Sequence, residues 1–192
     1  MKLPNKKFLI AGFALTVLAQ LAIPLKMVYD SEMTASHGTE YKFRTRPIDP
    51  SDPFRGKYIT LDFESSSVNI DNTDWKYGEE AYVYIKTDAE GFAYVTNMSH
   101  QPLDTPNDYF MGKARPVYDG KMNIDFPFDR FYMEEGKAYE AELAYTEYNN
   151  DTVARPAYAV VAVKGGNCVL KDVIIDGMPI REYVLKEREK GK

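Results

Sequence analysis

Cysteine occurs once in this chain, at position 168, and histidine twice, at positions 37 and 100. No disulfide can close within such a chain. Zinc sites of four cysteines, or of two cysteines and two histidines, are excluded. Positive charge is in deficit: 24 Lys and Arg face 29 Asp and Glu, net −5, which argues against a nucleic-acid partner, since that takes a basic face. With only 12 Gly and 11 Pro there is no collagenous or low-complexity segment. Neither a Gly-rich phosphate loop nor a Gly-x-Ser-x-Gly elbow occurs. What is present is ordinary for a globular protein: 192 residues, 44% hydrophobic and 28% charged, one domain or two at most.

One long apolar run stands at the N-terminus. Phe8 to Leu25 is 18 residues without a charge, preceded by Lys2, Lys6 and Lys7. As a helix it spans roughly 27 Å, enough for a thin hydrocarbon core. The basic flank predicts an N-terminus on the cytoplasmic side of a membrane and everything after Lys26 outside. A signal peptide shares this layout, with Thr34-Ala35-Ser36 as its cleavage candidate. After residue 28, 20 basic and 29 acidic residues remain, net −9. Anionic headgroups repel such a domain, so the anchor alone holds it at the membrane. Residues 1–28 thus read as anchor, 29–39 as a polar stalk, 40–180 as an exported β-domain and 181–192 as a charged, weakly helical or frayed tail.

From Glu40 onward the pattern alternates with a period of two. Lys57–Glu64 puts Ile59, Leu61 and Phe63 on one face and Tyr58 on the other. Ala81, Val83 and Ile85 alternate with polar residues, Asp88–Gly91 turns, and Phe92–Met98 returns. Asp119-Gly120 and Lys164–Asn167 each mark a hairpin, and Asp176-Gly177 a further turn. Lys137–Tyr148 has helical spacing and propensity. The expected fold is mainly β, an antiparallel barrel or sandwich of about eight short strands with one short helix, behind a transmembrane helix.

Candidate chemistry is sparse. Asn69 to Glu80 has faint calcium-loop spacing, but Asp74 stands where the loop needs Gly. His37 and His100 lack a metal partner at helical spacing and read as surface residues. Ser65-Ser66-Ser67 and Ser99 offer nucleophiles for a Ser–Lys dyad, yet no lysine is marked as desolvated. Tyr82, Tyr84 and Tyr94 fit one sheet face, a contact surface for protein or glycan or simply half-buried strand residues. Cys168 reads as a small buried hydrophobe. No catalytic residue, metal or cofactor is expected.

The densest segment is Arg44–Phe63, RTRPIDPSDPFRGKYITLDF. Three prolines, at 47, 50 and 53, impose extended or turn conformations. Arg44, Arg46 and Arg55 surround Asp49 and Asp52, so ion pairs can pin the loop. Gly56 can take positive φ as the strand begins. The segment reads either as a pinned loop feeding a core strand or as a partner-facing surface close to the anchor.

This segment resembles the signature of the GDYXXLXY family, membrane-anchored bacterial proteins of unknown function. Gly56, Tyr58 and Leu61 fit the motif; Lys57 stands where the family has Asp, and Phe63 where it has the last Tyr. The run from Arg44 to Pro50 and Pro53-Phe54-Arg55 are also typical. So are Gly112-Lys113-Ala114-Arg115, Arg130-Phe131-Tyr132 with Glu135-Gly136-Lys137, and Ile175-Asp176-Gly177. The resemblance covers nearly the whole exported region and includes the anchor. Any role resting on the motif carboxylate is absent here. Such proteins are commonly encoded beside a polytopic membrane protein, so the resemblance implies an accessory subunit with an integral membrane protein as partner; it implies no activity and no cofactor. The rival expectations are an exported glycan- or peptide-binding module and a membrane-bound Ser/Lys peptidase-like enzyme.

Overall fold

The computed structural model describes residues 6–46, 58–69, 74–118, 120–132 and 157–190. It opens with a 32-residue helix, α1 (Lys6–His37), which enters strand β1 (Thr39–Arg46) through Gly38 alone. Of the expected stalk, residues 29–37 are the last turns of that helix. Their polar side chains hydrogen-bond back along it, Thr34 Oγ1 to the Asp30 carbonyl at 2.8 Å and Ser36 Oγ to that of Glu32 at 2.7 Å. Thr34 is buried beneath the sheet, which supplies the packing that the sequence of this stretch does not advertise.

Short strands follow: β2 (Tyr58–Thr60), β3 (Asp62–Phe63), β4 (Ser67–Asn69), β5 (Glu80–Thr87), β6 (Ala93–Ser99), β7 (Tyr109–Tyr118), β8 (Lys121–Asp125), β9 (Arg130–Tyr132), β10 (Tyr158–Lys164), β11 (Asn167–Ile175) and β12 (Met178–Pro179). Helix α2 (Ile180–Lys190) ends the described chain. Every strand pair is antiparallel. One sheet has the order β12-β11-β10-β1-β3, the other β4-β8-β7-β5-β6, and β2 pairs with β9. Together they form a mainly-β, nearly closed barrel-like body, as the alternation predicts.

The hairpins form where the turn signals stand. Gly165 and Gly166, with φ of 55° and 88°, make the two-residue turn between β10 and β11. Asp176 and Gly177 make another at φ 50° and 76°. Positive φ at both positions gives the turn the twist of its flanking strands. The helix expected over 137–148 and Asp119 of the β7–β8 turn lie outside the described residues.

Two seams close the barrel. Residues 58–69 form the first. Expected as one strand, Tyr58–Phe63 is split at Leu61: β2 pairs with β9, and β3 pairs with the end of β1. The Leu61 amide donates to the Asp129 carbonyl at 2.8 Å, and β4 then lies against β8. At the second seam the β10–β11 turn meets β7, where the Met111 amide donates to the Gly166 carbonyl at 3.1 Å.

The core is aromatic. The Phe43 ring lies 5.1 to 6.3 Å from those of Phe63 on β3, Phe110 on β7, and Phe126 and Phe128 in the turn after β8. Three of these four contacts are edge-to-face, the arrangement favoured by ring quadrupoles. Ile180 and Val184, one turn apart on α2, are also buried, so the C-terminal segment is a docked helix at least as far as Val184.

Candidate functional site

Alternation places the signature segment's residues on two faces. Ile59, Leu61 and Phe63 are buried in the core, whereas Tyr58, Thr60 and Asp62 face outward. Leu61 and Phe63 are therefore packing groups. Tyr58 stacks obliquely on Tyr132, 5.4 Å between centroids, under the Arg130 guanidinium at 5.1 Å. Asp49, Asp52, Arg55 and Gly56 lie outside the described residues.

The two described arginines of the segment have different surroundings. Arg44 is three-quarters buried and reaches across to the β5–β6 turn. It donates to Asp88 at 3.0 Å and Glu90 at 2.5 Å, with its guanidinium 3.9 Å from the Phe92 ring centroid. Asp88 in turn accepts the amides of Glu90 and Phe92, and these bonds, that from Phe92 foremost, hold its carboxyl below the usual range. Arg44 is thus a brace between the two sheets.

Arg46, at the far end of β1, lines an open cleft of about 530 Å³. Its Nε donates to Asp62 at 2.5 Å and its Nη2 to Ser66 at 3.2 Å. The Asp62 hydrogen bond pushes the guanidinium pKa upward. Across the cleft Arg115 pairs with Asp125, and Asp129 adds a third carboxylate. The described lining therefore carries two guanidinium and three carboxylate groups, each arginine held by an aspartate. Such a surface can exchange its ion pairs for those of a polar ligand. Among the described residues none of the candidate serines hydrogen-bonds a lysine: Ser65 Oγ is buried without a partner, Ser66 accepts from Arg46, and Ser99 donates to the Gln101 carbonyl. No group of three metal-ligating side chains occurs among them either.

The cleft is not beside the anchor. Arg46 stands seven residues along β1 from Thr39, roughly 23 Å from the helix junction at strand rise. Of the segment expected to form a surface close to the anchor, Arg46 thus stands at the far end of β1, and residues 47–57 lie outside the described residues. Sequence reasoning also missed Asp62, Ser66, Arg115, Asp125 and Asp129 as cleft groups. Only Arg115 carried a signal, through the family-like Gly112–Arg115 stretch.

The remaining candidates are spoken for. Tyr82, Tyr84 and Tyr109 form an aromatic group with centroids 5.3 and 5.6 Å apart. Tyr84 is buried and its hydroxyl accepts the Leu103 amide at 2.6 Å, while Tyr94 stands apart, exposed opposite Lys86. His100 stacks on Trp75 at 3.6 Å and contacts Glu79 at 3.2 Å, and His37 is exposed at the end of α1. Burial pushes the Cys168 thiol up to about 12, which makes it inert.

Helix α1 is long and apolar enough to cross a membrane, and no residue of its most apolar 18-residue window is buried. No curated protein and no solved structure matches the chain. One family model does, over residues 20–173, which include the end of the apolar helix, the signature segment, the cleft and both seams. The chain belongs to the GDYXXLXY protein family.

Proposed function

We propose that this chain is a single-pass protein of a bacterial cytoplasmic membrane, N-terminus inside and β-domain outside. It acts as a non-enzymatic accessory subunit whose domain binds an integral membrane protein. The observation that carries this reading is α1 itself. An exposed apolar span continues without a break into turns that pack on β10 and β11, so the domain is fixed to its anchor. A secreted or tethered catalyst has no need of a fixed pose above the bilayer, whereas a subunit that must meet a neighbour in the same membrane does. The ion-paired cleft suits a binding role.

The test is purification of the full-length protein in mild detergent, with mass spectrometry of what accompanies it. The reading expects one integral membrane protein in near-stoichiometric yield; recovery of the chain alone overturns it. Alkaline phosphatase fused after Lys192 is expected to be active and membrane-bound. A soluble, shortened product would place a cleavage site within Leu21–Ser36 and remove the anchor from the reading.

A second reading, an exported peptide-binding module, is favoured by the two-signed lining of the cleft. It expects binding to survive removal of residues 1–28.

A further inference from the structure

Within the span one position is left unsatisfied twice over. Pro24 lies inside α1 and has no N–H, so the carbonyl of Gln20, four residues earlier, receives no helical hydrogen bond. The Gln20 side-chain amide has no hydrogen-bond partner among the described residues. Gln20 is roughly 18 Å along the helix from Phe8 and roughly 8 Å short of Leu25, so both groups lie inside the apolar run. Hydrocarbon offers neither of them a partner. By contrast Thr16, one turn below, satisfies its hydroxyl on the Gly12 carbonyl at 3.0 Å. Gly12 itself has nothing within 4 Å of where a Cβ would stand, which leaves that face open to close approach.

The side of the helix on which these groups lie relates them to the domain. Thr16 and Thr34 are 18 residues apart, five whole helical turns, and so are Gly12 and Asp30. Thr34 is the buried residue of α1, and Asp30 is half-buried. The β-domain therefore overhangs the same side of α1 that carries Gly12, Thr16 and Gln20. Between span and domain, Lys26 to Tyr29 are exposed.

We propose that the Gly12–Thr16–Gln20 face docks a transmembrane helix of a different membrane protein, one that ends near the membrane surface beneath the β-domain. That helix carries a hydrogen-bonding side chain at the depth of Gln20, with a donor for the freed carbonyl. The proposal rests on the accessory-subunit reading and names the contact it uses. A second copy of this chain does not fit the seam. Its own α1 continues to His37 before its domain begins, and on this side that continuation meets the first copy's domain. A helix that ends at the surface meets no such obstacle.

The experiment uses the full chain in native membranes, with a photoreactive benzoylphenylalanine at position 16 or at position 18. Leu18 lies about 200° round the helix from Thr16. The expected result is an adduct from position 16 and none from position 18. Mass spectrometry is expected to place the cross-link in an apolar helix of a polytopic protein. In the position-16 background, Gln20→Leu is expected to lower the adduct roughly threefold or more, the effect of one interhelical hydrogen bond. Equal adducts from both positions, an adduct of two copies of this 21.9 kDa chain, or an adduct indifferent to Gln20→Leu overturns the proposal. If detergent purification still recovers a membrane protein while position 16 gives no adduct, the seam is wrong and the accessory reading stands. If purification recovers none, both fall.

Discussion

Arg46 and Asp62 face each other across the β1–β3 pair, with Nε to Oδ2 at 2.5 Å and with side chains 47% and 42% exposed. A pair this open to water is weakly stabilising, because solvent screens the charges and both side chains give up rotamer freedom. Arg46→Ala is expected to lower stability by less than ~1 kcal/mol in a denaturant melt of the full-length protein. The cleft loses one of its two described guanidinium groups at the same time. Partner recovery that falls sharply without a change in the melt assigns the cleft to binding; a loss of several kcal/mol makes Arg46 a structural pin.

Gly166 is required twice, by its φ of 88° and by the Tyr109 ring, which a Cβ would approach to 2.9 Å. Its neighbour Gly165 has φ 55° and open space around it. Gly166→Ala is expected to cost ~1–3 kcal/mol, as left-handed backbone in a non-glycine residue does, and to loosen the second seam. Gly165→Asn is expected to stay within about 0.5 kcal/mol, since Asn tolerates that region. Equal melts for the two variants would show that the hairpin tip is not held against β7.

Alkaline pH is expected to destabilise the domain before it ionises the folded side chains. Burial, aided by Asp108, holds the Tyr41 hydroxyl up to about 12, and burial does the same for the Cys168 thiol. Unfolded, these groups release their protons near 10.0 and 9.0. The unfolded chain therefore binds fewer protons above pH 9, and stability falls as pH rises from about 9 to 12. Melting temperatures between pH 8 and 11 test this. Tyr41→Phe and Cys168→Ser are each expected to flatten part of the slope. Cys168 is also expected to resist iodoacetamide at pH 8 until the protein is unfolded.

The junction at Gly38 offers a fourth test. A Cβ there would stand 2.5 Å from the Thr34 carbonyl oxygen and 3.0 Å from that of Val163, both backbone atoms. Gly38→Val is expected to detach the last turns of α1 from β10 and β11. Limited proteolysis of the full-length protein reads this directly: the wild type resists cleavage over residues 29–38, and the variant is cut there. Cleavage of the wild type in this stretch would restore a free stalk.

What was legible in the sequence is what short-range pattern encodes. Alternation at 81–85 and the glycine turns at 165–166 and 177 correspond to observed strands and hairpins because period and φ are local properties. The apolar run at 8–25 is equally local. The division of Tyr58–Phe63 between two partners was not legible, since it depends on β9 and β1 each taking half of an unbroken alternating stretch. Likewise Arg44 finds its carboxylates 44 and 46 residues away and Thr34 packs against a hairpin beyond residue 157, so no neighbouring signal marks either as structural. The cleft is the extreme case. Its walls come from four separated stretches, and although Arg115 and Asp125 pair across one hairpin, only the fold brings them to the same cleft as Arg46 and Asp62.

The single-residue link at Gly38 also has a mechanical consequence. A domain on a flexible tether keeps its own orientation whatever its helix does, but here the barrel leans with α1. Transmembrane helices tilt by about 20° on average, and they tilt further as the bilayer thins. At roughly 23 Å from the junction, such a lean carries the Arg46 end of β1 through as much as ~8 Å. Where α1 crosses a bilayer as proposed, the height of the cleft is thereby geared to bilayer thickness, through an arm about as long as the apolar run that sets the tilt.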